Sequence, residues 1–262
     1  MCSVFPHVDD LCEIVLRRHA IVHAGGIATS EYINKAKKLR KLRIQIPNEG
    51  ASLSEDSEYL SKSWCIIYAA GVVLLHFLSV NHARNKDSKE DESSADDFLA
   101  LSAYNAIRNE QYFAAELVQT YALSRSLRSQ ATKWQIQINL AQTYKWLGRE
   151  AECTELLNSI DFTACSAVYR VCIASLRGDF DVLKKNLIIA RQEGGIKAED
   201  LYEWPVFKAI RETEAFASIF KDVFEMEFNL LARKNKTQLL DFDSAEKLSK
   251  FMKESTERVT GQ

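Results

Sequence analysis

The chain has 262 residues, of which 47% are hydrophobic, and a formal net charge of −2 at pH 7. This length allows two modest domains or one long helical array. Only three prolines and nine glycines are present, which favours helices over a loop-rich β fold. The near-neutral charge argues against nucleic-acid binding through bulk charge. We therefore expect an all-α protein in which any RNA contact is local.

The six cysteines form no Cys-x-x-Cys pair and have no zinc-type spacing with the five histidines, so we expect neither a metal nor another cofactor. Cys12, Cys153 and Cys172 lie in apolar helical patterns, which predicts buried free thiols and a reducing, cytoplasmic location. The first residues lack a basic region followed by an apolar core. A signal peptide is therefore not expected.

The first predicted helix runs from Val8 to His23 and ends at Gly25-Gly26. Near its C-terminus lie Arg18, His19 and His23. Histidine exchanges protons near neutral pH, and arginine presents a planar fork to phosphate oxygens. Together they supply what metal-free RNA cleavage needs: a general acid or base, and a cation to stabilise the charge that builds on phosphorus.

The spacing of these three residues allows two interpretations. Arg18 and His23, five residues apart, differ by about 140° around a helix, whereas His19 and His23 share a face. A splayed last turn, or a second copy across a two-fold axis, could complete a catalytic site. The alternative is an amphipathic helix with a snorkelling arginine and two histidines at its polar edge.

The stretch from Glu13 to Tyr32, EIVLRRHAIVHAGGIATSEY, resembles the HEPN superfamily. Arg18 matches the family's arginine, His19 its polar residue and His23 its histidine. The resemblance covers about residues 8 to 80. It implies an all-helical, usually dimeric domain that is often a metal-independent endoribonuclease in phage defence or toxin–antitoxin systems. Family members usually have further helices before the motif, so a shorter domain, or one completed by another chain, is expected here.

The resemblance also implies roles for the matched residues. His23 would act as general base or acid at the ribose 2′-hydroxyl, and Arg18 would hold the scissile phosphate. His19 would orient the motif or bind phosphate. The product would carry a 2′,3′-cyclic phosphate.

A second helix is predicted from about Glu31 to Arg43, with Ser30 as its N-cap. This helix is rich in basic residues, which are interpreted either as a phosphate track for RNA near the motif or as a solvated face. The candidate RNA-binding residues are Lys35, Lys37, Lys38, Arg40 and Lys41.

A long helix is predicted from Ser54 or Glu55 to Arg84, after a turn at residues 47–50. Residues 64–80 are apolar nearly all round. A membrane span needs about twenty such residues, and this run contains His76. The pattern favours a helix buried in a bundle or dimer core, with no membrane contact. A two-fold homodimer is the simplest closed assembly.

Residues 85–97 are almost entirely polar, which predicts a linker between a helical domain at residues 1–84 and a second domain at residues 98–230. In the second domain, residues 140–157 resemble a tetratricopeptide repeat, with a second unit at residues 171–190 and a poorer one at residues 101–121. The turn residues Asn109, Gly148 and Gly178 are 39 and 30 residues apart, against an ideal of about 34. We expect a degenerate, repeat-like α-solenoid.

Aromatic residues are frequent between residues 201 and 220. They are expected to cover the open edge of the last repeat, or alternatively to bind a ligand. In the tail, residues 231–262, a short amphipathic helix is predicted, with Leu248, Phe251 and Met252 able to dock on the array.

Two functions are consistent with these patterns. The first is a HEPN-type endoribonuclease with a repeat module for docking or regulation. The second is a non-catalytic dimeric scaffold that binds a protein or peptide on the concave face of the repeats. The sequence has no G-x4-G-K-[S/T] loop, GxSxG or HExxH motif, so phosphate-loop, α/β-hydrolase and zinc-protease chemistry is not expected.

Overall fold

The computed structural model describes residues 5–53, 57–86 and 88–229, and over these residues the protein is all-α. The three N-terminal helices are α1 (Val8–His23), α2 (Ser30–Ala36) and α3 (Ser57–Asn85). The bounds predicted for α1 are confirmed. Gly25 and Gly26 follow it at φ 62° and 74°, a left-handed conformation that glycine adopts without steric cost. The one β contact in the described ranges is an isolated bridge between Ile27 and Ser52.

The second helix is shorter than predicted and has a different cap. Thr29, not Ser30, is the N-cap, because its Oγ1 accepts a hydrogen bond from the backbone N–H of Tyr32 at 3.2 Å. The helix ends at Ala36 instead of near Arg43. The chain beyond it is held against α1, since the backbone N–H of Lys41 donates to Asp9 at 2.7 Å and that of Arg43 to Asp10 at 3.0 Å.

Among the described residues only one face of α3 is buried, so the neighbouring helices cover part of the helix and the predicted burial in a dimer core stays a prediction. Ile66, Ala69, Val72 and Val73 belong to a hydrophobic core shared with Leu99 and Val118 of the next two helices. On the opposite face, Trp64, Leu74 and Leu78 are among the exposed large hydrophobic residues.

Residues 89–97 form helix instead of the predicted linker, as the first half of α4 (Lys89–Arg108). Ser88 caps this helix by accepting a hydrogen bond from the backbone N–H of Asp91 at 3.2 Å. Its polar residues are satisfied by distant groups: Glu92 pairs with Arg128, and Asp96 accepts from the backbone N–H of Arg128 at 2.9 Å. Polar contacts here replace the apolar contacts that the sequence pattern lacks.

The following helices form hairpins with short turns, which makes successive helices antiparallel. They are α4 with α5 (Tyr112–Leu123), α6 (Gln130–Trp146) with α7 (Glu150–Asn158), and α8 (Ala167–Arg177) with α9 (Phe180–Gln192). Gly148 and Gly178 make the last two turns at φ 73° and 70°, as predicted. In the first turn, Asn109 caps α4 and Glu110 takes the positive φ of 59°.

The C-terminal part of the described chain packs against α8 and α9. It consists of α10 (Ala198–Glu203), a 3₁₀ turn (Pro205–Phe207) and α11 (Glu214–Phe224). Its phenylalanines share one hydrophobic core with Leu183 and Leu187 of α9, so the prediction that these aromatic residues cover the last hairpin is confirmed. The predicted tail helix lies outside the described residues.

Candidate functional site

Arg18, His19 and His23 are all exposed on α1. The rings of His19 and His23 lie with their centroids 4.5 Å apart. Arg18 lies about 140° around the helix from His23, and α1 keeps its helical form through His23, so the last turn is not splayed. A single copy therefore brings the two histidines together but does not bring Arg18 to His23.

The neighbouring Arg17 is the arginine that α1 turns inward. It donates to buried Glu13 through Nε at 2.7 Å. Tyr32 and Tyr59 also donate to Glu13, at 2.6 and 2.9 Å. Although burial opposes its charge, the hydrogen bond and the attraction to Glu13 raise the pKa of Arg17. This network joins α1, α2 and α3 and holds the surface on which Arg18 lies.

Burial and the bond to Glu13 also raise the pKa of Tyr32 to about 12, and burial raises the pKa of Tyr59. Both phenols therefore stay protonated near neutral pH and donate to the carboxylate. The sequence signal for this network was the four-residue spacing of Glu13 and Arg17, which places oppositely charged side chains on one helix face.

The candidate RNA-binding residues Lys35, Lys37, Lys38, Arg40 and Lys41 are all exposed, but only Lys35 lies within α2. It donates to Glu31 at 2.6 Å on the same helix. Because the helix ends at Ala36, these residues do not form one continuous helical stripe.

A second candidate site is a cleft of about 570 Å³ between α4, α6, α8 and the 3₁₀ turn, which we name the central cleft. No charged residue is among the described residues that line it. Its aromatic lining consists of Tyr104 of α4, Tyr169 of α8, and Trp204 just before the 3₁₀ turn. Burial raises the pKa of Tyr104 and of Tyr169, so both remain neutral hydrogen-bonding groups.

Three amide side chains line the central cleft along α6: Gln135, Asn139 and Gln142. Their spacing of four and three residues places them on one helix face. Gln142 is only 1% exposed, and its buried Nε2 has no hydrogen-bond partner within the described ranges. A buried donor without a partner destabilises the folded protein. A bound ligand with a hydrogen-bond acceptor at this position would remove that penalty. The spacing of these amides is visible in the sequence, but it was not singled out there.

A smaller polar pocket of about 240 Å³ lies beside His76. The buried imidazole of His76 is 3.3 Å from Asp96 through Nε2 and 3.0 Å from the Tyr121 hydroxyl through Nδ1. Glu92 in this pocket pairs with Arg128 and lies 3.8 Å from Arg84. The acidic side chains of the pocket thus already have basic or imidazole partners.

Within the described residues, no group of three or more histidine, cysteine, aspartate or glutamate side chains could hold a metal ion. Cys65, Cys153, Cys165 and Cys172 are buried free thiols, and burial raises the pKa of each. Cys12 is exposed, which corrects the prediction for that residue. It lies on the outer face of α1, away from the buried Glu13 and Arg17.

Comparisons of the chain with protein-family models, with curated proteins and with solved structures find no match.

Proposed function

We propose that the protein is a non-catalytic helical scaffold, TPR-like from α4 to α9, that binds an uncharged segment of a partner protein in the central cleft. The observation that carries the proposal is the lining of that cleft, which is aromatic, aliphatic and amide-bearing, without a charged residue among its described members. Pockets that combine apolar surface with a few convergent polar groups are typical binding sites.

The amide row favours an extended peptide as the occupant. From Gln135 to Gln142 the helix rises by about 10 Å, which matches about three residues of extended chain at roughly 3.3 Å each. An amide side chain both donates and accepts hydrogen bonds. The row can therefore pair with successive backbone groups of a peptide while the aromatic residues contact its side chains.

A binding selection tests the proposal directly. A random peptide library displayed on phage is selected on the wild-type protein, and the peptides obtained are measured against Leu101→Asp, which places a charge in the cleft at a residue that is 56% exposed. Leu147→Asp is the matched control, because Leu147 is an exposed leucine of the same array outside the cleft lining. Loss of binding only in Leu101→Asp supports the proposal. Equal binding to both variants contradicts it.

The second candidate function is a HEPN-type, metal-independent endoribonuclease in antiviral defence or a toxin–antitoxin pair. The observation that favours it is the exposed pair of His19 and His23 with ring centroids 4.5 Å apart, open to a large substrate. The mechanism assigns acid–base chemistry to His23 and phosphate binding to Arg18. Since these two residues lie on different sides of α1, the arginine and the histidine of one site would come from two copies of the chain.

Both functions are proposed for a cytoplasmic protein without membrane contact. Buried free cysteines are consistent with a reducing compartment. The helix α3 is long and apolar enough to cross a membrane, but 44% of its most apolar window is buried within the structure, which favours packing against protein.

A further inference from the structure

The exposed face of α3 carries a regular apolar stripe. Its members are spaced alternately by four and three residues, the heptad spacing of helices that pack side by side. We name this stripe the α3 seam: Leu60, Trp64, Ile67, Gly71, Leu74 and Leu78. Its large side chains are between 43% and 58% exposed, and Leu75 and Phe77 extend the apolar surface beside it.

The surface is larger than a monomeric protein usually leaves in water. Seven large apolar side chains of α3 are about half exposed, and at roughly 100 Å² each they present about 700 Å². Monomeric proteins rarely expose one contiguous apolar patch above a few hundred Å². A stable protein–protein interface needs about 800 Å² from each partner, so the seam with its flanking residues supplies most of that area.

The centre of the seam suits a second helix. Gly71 is exposed and has no neighbouring atom within 4 Å of the position that a Cβ would take. A glycine at this point removes a side chain from the contact and lets two helix backbones approach closely. No Asp, Glu, Lys or Arg occurs in α3 between residues 63 and 83, so the helix itself buries no charge when the seam is covered from Trp64 to Leu78.

We propose that the α3 seam binds the α3 seam of a second copy of this chain across a two-fold axis. A two-fold interface uses the same patch on both subunits, and a seam without charges is complementary to itself. The resulting dimer holds two central clefts in one particle. The inference goes beyond the proposed function and does not rest on it.

A membrane surface is a less suitable occupant. Helices that lie on membranes carry Lys or Arg along the edges of their apolar face, and α3 has none between residues 63 and 83. Insertion across a membrane would also separate buried His76 from Asp96 and Tyr121 and leave polar groups without partners in lipid.

Sedimentation equilibrium of the full chain at tens of micromolar tests the proposal. Wild type should be a dimer, and Leu74→Glu should weaken the dimer at least about 100-fold, because a carboxylate would be buried in an apolar contact. Leu147→Glu is the control and should remain dimeric, because Leu147 is an exposed leucine that lies neither on α3 nor in the lining of the central cleft. Circular dichroism should show that all three proteins keep their helices.

A monomeric wild type would overturn the proposal, and so would a dimer that Leu74→Glu leaves intact. Phosphatidylcholine vesicles provide the test of the membrane alternative. Co-sedimentation of a monomeric wild type with these vesicles, lost in Leu74→Glu, would assign the seam to a membrane instead.

Discussion

Arg17 donates a hydrogen bond from Nε to Oε1 of Glu13 at 2.7 Å, and its guanidinium carbon lies 4.2 Å from the centroid of the Tyr59 ring. Glu13 is 1% exposed and accepts hydrogen bonds from three side chains on α1, α2 and α3. One buried carboxylate thus joins the three N-terminal helices. The first prediction removes this carboxylate.

Glu13→Ala should lower the free energy of unfolding by about 3–5 kcal/mol, because it removes the carboxylate that accepts from buried Arg17, from buried Tyr32 and from half-buried Tyr59. Urea unfolding followed by circular dichroism measures the change. Glu31→Ala is the matched control, since Glu31 pairs with Lys35 one turn away on the exposed face of α2. It should barely move the unfolding midpoint. Equal stability of Glu13→Ala and wild type would contradict the structural role of this network.

Replacing the buried amide of Gln142 should instead raise the free energy of unfolding. Its Nε2 is buried without a partner in the described part of the chain, so Gln142→Met, which has a similar shape, should raise the free energy of unfolding by about 1 kcal/mol. The same change should weaken the binding of peptides selected on wild type. Asn139→Ala, at a half-buried site on the same face, should weaken binding without raising stability. A stabilised Gln142→Met that binds as tightly as wild type would show that the amide has no part in binding.

Acid should destabilise the protein through its buried histidines. Burial lowers the pKa of His76 and of His7, so the folded state takes up these protons less readily than the unfolded state. The free energy of unfolding should therefore stay constant above pH of about 6.5 and fall below it, by at most about 1.4 kcal/mol per pH unit for each histidine.

The test compares how steeply the free energy of unfolding changes with pH in wild type and in a variant. Urea unfolding between pH 7 and pH 5 should show a smaller slope in His76→Gln than in wild type. A His76→Gln variant that loses stability with pH as steeply as wild type would contradict the assignment.

The endoribonuclease proposal makes its own prediction. If α1 is catalytic, purified protein should cleave RNA with EDTA present, leave DNA intact and produce 2′,3′-cyclic phosphate ends. His23→Ala should lose about 10²- to 10⁴-fold in rate, and Arg18→Ala should lose a comparable amount. Lys37→Ala should mainly weaken RNA binding and its dependence on salt. Cleavage that is equal in wild type and His23→Ala would reject this site.

Local sequence signals predicted those parts of the fold that depend on neighbouring residues. The bounds of α1 and the turns at Gly148 and Gly178 follow from apolar periodicity and from glycines at left-handed positions. The end of α2 could not be predicted in this way. It depends on hydrogen bonds from Lys41 and Arg43 to Asp9 and Asp10, more than thirty residues earlier in the chain.

The same reason explains the error over residues 85–97. Glu92 and Asp96 are typical of a linker by composition, but in the folded protein Arg128 hydrogen-bonds to both of them. The candidate sites were also predictable only in part. The pairing of His19 with His23 follows from their spacing, but the choice between Arg17 and Arg18 as the buried arginine, and the convergence of four elements on the central cleft, require the packed structure.

His76 joins α3 to two of its neighbouring helices, since it contacts Asp96 on α4 and Tyr121 on α5. An apolar helix against an apolar core has little to set its rotation, since many orientations bury similar area. A shift of one residue would turn α3 by about 100° and break both of these contacts. The histidine therefore helps to fix the rotation of α3, together with Tyr59 and Tyr68, which donate to Glu13 and to the Ser102 carbonyl. These contacts set the row of side chains that α3 presents outward.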